Sequence, residues 1–312
     1  MGSSPTSHPE KGSRTMNETP VKYRMEGKPK RFEIPYNFDS HLVEILNYLS
    51  KSYDSGFCDT LYAPAFHEDY PEILRTINYV DNNHKQMTRE TYEAHIKYCQ
   101  KLLPGKVQIL LQQHNFIMPK GTVQYYIDTF GIRKFCCGTF EQAKIIKEID
   151  PTIEITASIT MYITEEELEQ HPEYQGVFDR IVLPLKFNRD LDGIKKLPRT
   201  FEYLIIVNTN CNANCKGVHH WFSPDPLHAY CPGTSSEDKI SWGEMANIRP
   251  CDLGMFADYI SVFKLQDRGW PTFEIIQSLL TYYGNYDYMA GINRSEDLYN
   301  TKGRHTEYGE FN

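Results

Sequence analysis

A chain of 312 residues with 40% apolar and 24% charged residues has the composition of a globular protein, and its 22 Tyr and 16 Phe suffice for a sizeable core. A formal charge of -8 argues against a broad electrostatic grip on nucleic acid, which favours a basic face, although a local basic patch stays open as a lesser option. No run approaches the roughly 18 apolar residues of a membrane span and no apolar stretch follows the N-terminus as in a secretory signal, so no membrane span and a cytoplasmic location are expected.

Residues 1–30, rich in Ser, Pro, Lys and Glu, read as a disordered or appended leader. From Arg31 onward, short runs of apolar and β-branched residues alternate with amphipathic helical patterns. The expected strands are Phe32 to Tyr36, Thr60 to Ala63, Val107 to Leu111, Lys134 to Cys137, Ile153 to Ser158, Arg180 to Leu185, Tyr203 to Asn208 and Tyr259 to Leu265. The expected helices are His41 to Leu49, Glu90 to Leu102, Val123 to Thr129, Glu141 to Glu148, Glu165 to Glu169, Leu191 to Leu197 and Phe273 to Tyr282. Eight strand units with interleaved helices predict a parallel (β/α)8 TIM-like barrel over 31–283. An open doubly wound sheet is the alternative, but no glycine-rich phosphate turn follows the first strand. Residues 284–312 are polar and rich in Tyr, Asn and Gly, and read as a tail or a lid.

One interval breaks the rhythm. Between the seventh and eighth strands, residues 209–258 carry almost no periodic apolar pattern, and a loop this long inside a compact domain is usually functional. It contains Cys211-x3-Cys215-x15-Cys231-x19-Cys251, beginning just past the C-terminal end of a barrel strand, where active sites of this architecture lie. Metal ligation by four thiolates would supply the ordering free energy that such a segment lacks from hydrophobic burial. The wide, uneven spacing suits an iron-sulfur cluster better than the short knuckles of structural zinc. Zinc, with His219 or His220 replacing a thiolate, and unliganded thiols stay open as alternatives. The Cys-x3-Cys pair also opens the radical S-adenosylmethionine hallmark, but Val218 stands where its third cysteine belongs. Cys58, Cys99, Cys136 and Cys137 fall in expected strands and helices or beside them, as buried free thiols do.

In a barrel, polar residues at the C-terminal strand ends face a shared pocket. These are Asn37, His114, Asn115, Ser158, Lys186, Arg189, Asn208, Lys264, Gln266 and Arg268. Arg and Lys at such places suit a carboxylate or phosphate of a small-molecule substrate, whereas a salt bridge or a loop hydrogen bond is the competing role for each. Lys264 and Arg268 are the leading candidates, and the adjacent His219 and His220 are candidate proton donors or surface groups. No His-Glu-x-x-His or Gly-x-Ser-x-Gly is present to support a hydrolase.

The run Ile181-Val-Leu-Pro-Leu-Lys-Phe-Asn-Arg-Asp190, the strand Leu204 to Asn208 leading into Cys211, the later cysteines and Phe263-Lys-Leu-Gln-Asp-Arg268 resemble the collagenase-like peptidase (U32-type) family. The resemblance implies a barrel with a four-cysteine 4Fe-4S cluster on Cys211, Cys215, Cys231 and Cys251. It also implies oxygen-independent hydroxylation, of ubiquinone precursors or RNA bases in several members, with a prephenate-like oxygen donor in some, and a heterodimer or homo-oligomer. Peptidase activity, or a non-catalytic electron-transfer subunit, is the alternative that the same resemblance carries. Two departures bear on substrate: Cys211 and Cys215 lie closer than the family's first pair, and Lys264-Leu-Gln-Asp-Arg268 stands where Lys-x-Glu-Gly-Arg is more typical.

Overall fold

The structure, a computed structural model, describes residues 31–53, 55–66, 87–111, 117–209, 213, 246–266 and 270–290. Its strands are β1 (Phe32–Pro35), β2 (Thr60–Pro64), β3 (Val107–Leu111), β4 (Lys134–Cys137), β5 (Glu154–Ala157), β6 (Arg180–Val182), β7 (Glu202–Ile206) and β8 (Val262–Lys264). They form one closed barrel in sequence order, and every neighbouring pair is parallel, with β8 returning to β1 through Phe32 and Phe263 and through Glu33 and Lys264. The expected (β/α)8 architecture is therefore present. The helices are α1 (Ser40–Ser52), α2 (Arg89–Leu102), α3 (Lys120–Phe130), α4 (Phe140–Ile149), α5 (Glu165–Gln170), α6 (Leu191–Lys196) and α7 (Thr272–Ala290).

Local chemistry explains most helix starts. The side chains of Asp39, Thr88, Thr139, Thr164 and Asp190 each accept a hydrogen bond from a backbone N–H in the first turn of α1, α2, α4, α5 and α6. The stop of α3 falls at Gly131, whose φ of 64° is the left-handed conformation that glycine adopts without a Cβ clash. β6 ends two residues before Pro184, which has no N–H for the ladder. β8 begins later than its apolar run suggests because residues 256–260 are wound into turns, with the Ile260 N–H donating to the Phe256 carbonyl at 2.8 Å. α7 runs to Ala290, seven residues past the expected end of the barrel.

The core has two parts. Outward-facing strand residues such as Ile34, Leu61, Ile109, Phe135, Ile155 and Ile205 pack under the helices in one continuous apolar cluster. The lumen is smaller and more polar. Its apolar part comprises Val182, Leu204, Ile206 and Val262 on one side and Tyr62, Leu110 and Cys136 on the other. Gln108 Nε2 donates to Thr156 Oγ1 at 3.0 Å, a contact from β3 to β5 that skips β4 and so passes through the lumen.

The N-terminal end of the barrel is closed by charge. Arg180, 5% exposed, reaches Asp59 at 2.9 Å, Glu154 at 3.1 Å and Glu202 at 2.6 Å. Arg31 meets Asp59 at 2.9 Å and Glu202 at 2.6 Å, and Lys134 meets Glu154 at 3.5 Å. Burial alone would raise the carboxyls of Asp59 and Glu202, but Arg180 and Arg31 outweigh it and hold both below their ordinary range. Charge pairs at this end serve the scaffold, because the chemistry of a barrel belongs to the opposite face.

Among the described residues, no helix is long and apolar enough to cross a membrane.

Candidate functional site at the C-terminal mouth

The C-terminal end is built from the segments that leave β1, β6, β7 and β8. After β1, Asn37 Nδ2 donates to the carbonyl of Trp270 and to Thr272 Oγ1, both at 3.1 Å, while Thr272 Oγ1 donates to Asp39 at 2.6 Å. Asn37 thus fastens the β1 and β8 loops together. Ser158, after β5, accepts from the Thr160 N–H at 3.3 Å and caps a short 3-10 turn.

After β6 the chain enters a 3-10 turn, Leu185–Arg189. Lys186 lies with its ammonium 5.1 Å from the Phe187 ring centre. Asn188 is fully buried, and its Nδ2 donates to the carbonyls of Ile206 and Ala246, each at 2.6 Å. Arg189 donates to the carbonyls of Asn188 at 3.1 Å and Asn247 at 2.8 Å. The guanidinium therefore holds backbone with part of its donor set.

β7 and β8 continue beyond their last ladder residues. The Gln266 N–H donates to Asn208 Oδ1 at 2.7 Å and Asn208 Nδ2 donates to the Gln266 carbonyl at 3.2 Å, so the Asn208 amide extends the pairing of the two strands. Gln266 Oε1 is buried and accepts nothing among the described residues. The chain that leaves β7 re-enters at 246, where the Ile248 N–H donates to the Val207 carbonyl at 2.9 Å.

Three residues later Cys251 stands on the 3-10 turn Pro250–Met255, half-buried and free of any disulfide. Burial and the neighbouring Asp252 carboxylate push its thiol up, with Arg249 opposing them. Arg249 in turn holds the fully buried Asp252 at 2.6 Å. The other described thiols differ: Cys58, Cys99, Cys136 and Cys137 are buried, and burial pushes Cys58 and Cys99 up to about 12. Those are buried core residues, whereas Cys251 is part-exposed with its Sγ donating to Asp252 Oδ1 at 3.6 Å, and an iron-sulfur centre would take it as the thiolate in place of that contact. Among the described residues, no group of three or more His, Cys, Asp or Glu side chains is gathered as a metal site. Cys211, Cys215 and Cys231 lie outside the described residues, as do His114, Asn115, His219, His220 and Arg268.

Beneath the mouth, Lys264 points into the lumen. It pairs with Glu33 Oε1, and its ammonium sits 4.0 Å from the centre of the Tyr62 ring. Tyr62 donates its hydroxyl proton to the Leu265 carbonyl at 2.6 Å, which fixes the ring. Glu33 is 0% exposed, and its Oε2 accepts nothing among the described residues. A buried Lys–Glu pair with one unfilled acceptor site can take a proton donor or ordered water, and it leaves Lys264 as a held cation rather than a free one. Sequence reasoning missed Glu33 and Asn188. A lone carboxylate in the apolar strand Phe32-Glu-Ile-Pro35 was the available signal for Glu33.

No protein-family model matches the sequence, and no curated protein matches it. Among solved structures, the chain is similar to a U32 peptidase at 12% identity and a TM-score of 0.48, over 78% of this chain and 96% of that one. At that identity and score the likeness assigns neither a family nor an activity.

Proposed function

We propose that this chain is a cytoplasmic iron-sulfur enzyme that modifies a small organic molecule by oxygen-independent hydroxylation or related redox chemistry. In this reading Cys211, Cys215, Cys231 and Cys251 hold a 4Fe-4S cluster. The observation that carries it is the half-buried Cys251 thiol, in no disulfide and hydrogen-bonded among the described residues to its neighbour Asp252, on a turn tied to the end of β7, at the face of the barrel used for catalysis. A cluster bound there supplies one-electron redox chemistry close to a substrate.

The chain's own residues supply the rest. Lys264, held by Glu33, is a positioned cation able to donate a proton or a hydrogen bond toward the mouth. Asn208 and Gln266 shape the wall between β7 and β8, and the buried Oε1 of Gln266, which accepts nothing among the described residues, is an acceptor for a donor at that wall. Lys186, Arg189, His114 and Asn115 form the substrate-binding set, and Arg268, His219 and His220 complete the catalytic one. An acidic donor of the prephenate type suits this cationic complement. Assembly as a heterodimer or homo-oligomer belongs to the same proposal.

Substitution of Cys251 tests the reading. Cys251→Ala should leave the far-UV circular dichroism of the barrel unchanged and abolish the broad absorbance near 400 nm of an anaerobic preparation. Retention of that absorbance in the variant would remove Cys251 from the ligand set. Peptide cleavage that survives Cys251→Ala would favour the peptidase alternative. A subunit that only transfers electrons would keep its redox activity after Lys264→Met.

A further inference from the structure

The turn Leu185–Arg189 lies inside the stretch that carries the family resemblance, yet its side chains act on backbone. We infer that this turn, with Tyr282 of α7, is a clamp that closes the base of the cysteine-bearing segment and positions Cys251 before any group binds. The clamp stands on the described geometry, and only its consequence for ligation rests on the cluster reading.

The two N–H bonds of one buried amide are shared between the outgoing chain at Ile206 and the returning chain at Ala246, each at 2.6 Å. The Tyr282 hydroxyl, buried, lies 2.9 Å from both the Val207 and the Ile248 carbonyls, bridging the same two chains one step higher. Arg189 adds Asn247, and the Ile248 N–H closes directly onto Val207. Consecutive residues 246, 247 and 248 are therefore each fixed by a different donor or acceptor. From Ile248 only Arg249 and Pro250 intervene before Cys251, and Arg249 is pinned to Asp252 beyond it. Fixing the chain on both sides of the thiol limits where its Sγ can lie. Asn188 and Tyr282 are thus positioning residues, in the way that outer-shell partners orient metal ligands.

The test uses the full chain, purified anaerobically, with Asn188→Ala and Tyr282→Phe. Both variants should keep the barrel's far-UV circular dichroism while releasing iron to a chelator about tenfold faster or more than wild type. Tyr282→Phe keeps the ring and removes only the hydroxyl, so it carries the test if Asn188→Ala does not fold. Unchanged release from a folded variant overturns the inference. A second measurement is independent of iron: in metal-free wild type the Ile248 amide should be protected from hydrogen exchange, and exchange at the rate of an exposed amide overturns the clamp. A wild-type chain that holds no iron sinks the cluster reading alone, and Ile248 protection then still decides the clamp.

Discussion

Glu33 and Lys264 place opposite charges in the buried lumen, and each is tolerable only because of the other. Removing one partner leaves an uncompensated charge in the lumen. Glu33→Gln should therefore lower the unfolding free energy by about 3–5 kcal/mol, measured by urea titration. Adding Lys264→Met to that variant should recover much of the loss, since the double change removes both charges; equal losses in single and double variants would contradict the pairing. The Tyr62 ring, 4.0 Å from the ammonium, adds a cation–π contact to the pair. Lys264 was legible as a pocket-facing cation, but its pairing was not, because Glu33 and Lys264 are separated by 231 positions and only closure of the barrel brings them together.

At the scale of elements, the alternation of strand and helix was legible because local patterns report it, and all eight expected strands are present. Their ends were less so. The late start of β8 depends on turns at 256–260 whose residues are as apolar as a strand's, and the early stop of β6 depends on Pro184. The charged plate under the barrel was hidden because its members come from six separate segments. Arg180→Met would remove the partner that Asp59, Glu154 and Glu202 share, leaving only Arg31 and Lys134 to hold them, and should cost about 2–3 kcal/mol in urea unfolding. α6 offers a milder test. A Cβ on Gly193 would come within 2.5 Å of Asp190 Oδ2, in the carboxylate that caps the helix, so Gly193→Ala should cost roughly 1 kcal/mol by displacing that cap.

For the whole molecule, the same plate sets the response to acid. Asp59 and Glu202 titrate below their unfolded counterparts, so their contribution is complete above the unfolded carboxyl range of about 4 and is lost as pH falls through the lower folded values. Stability should hold down to that range and then fall steeply, and Asp59→Asn should flatten the acid limb followed by circular dichroism. The candidate site divides in the same way as the fold. The spaced set of four cysteines is a property of the sequence, and only Cys251 of them lies among the described residues, whereas Asn188 and Tyr282, which hold the chain leading to Cys251, depend on the register of β7 against a returning chain. The C-terminal end of the barrel thus combines a scaffold fixed by its own hydrogen bonds with a part-exposed thiol that is in no disulfide and donates to Asp252. Iron and acid-labile sulfide, assayed together on anaerobically purified full-length chain, test the central claim directly. The account predicts about four of each per chain with a broad absorbance near 400 nm, and a folded, colourless protein without iron or sulfide would contradict it.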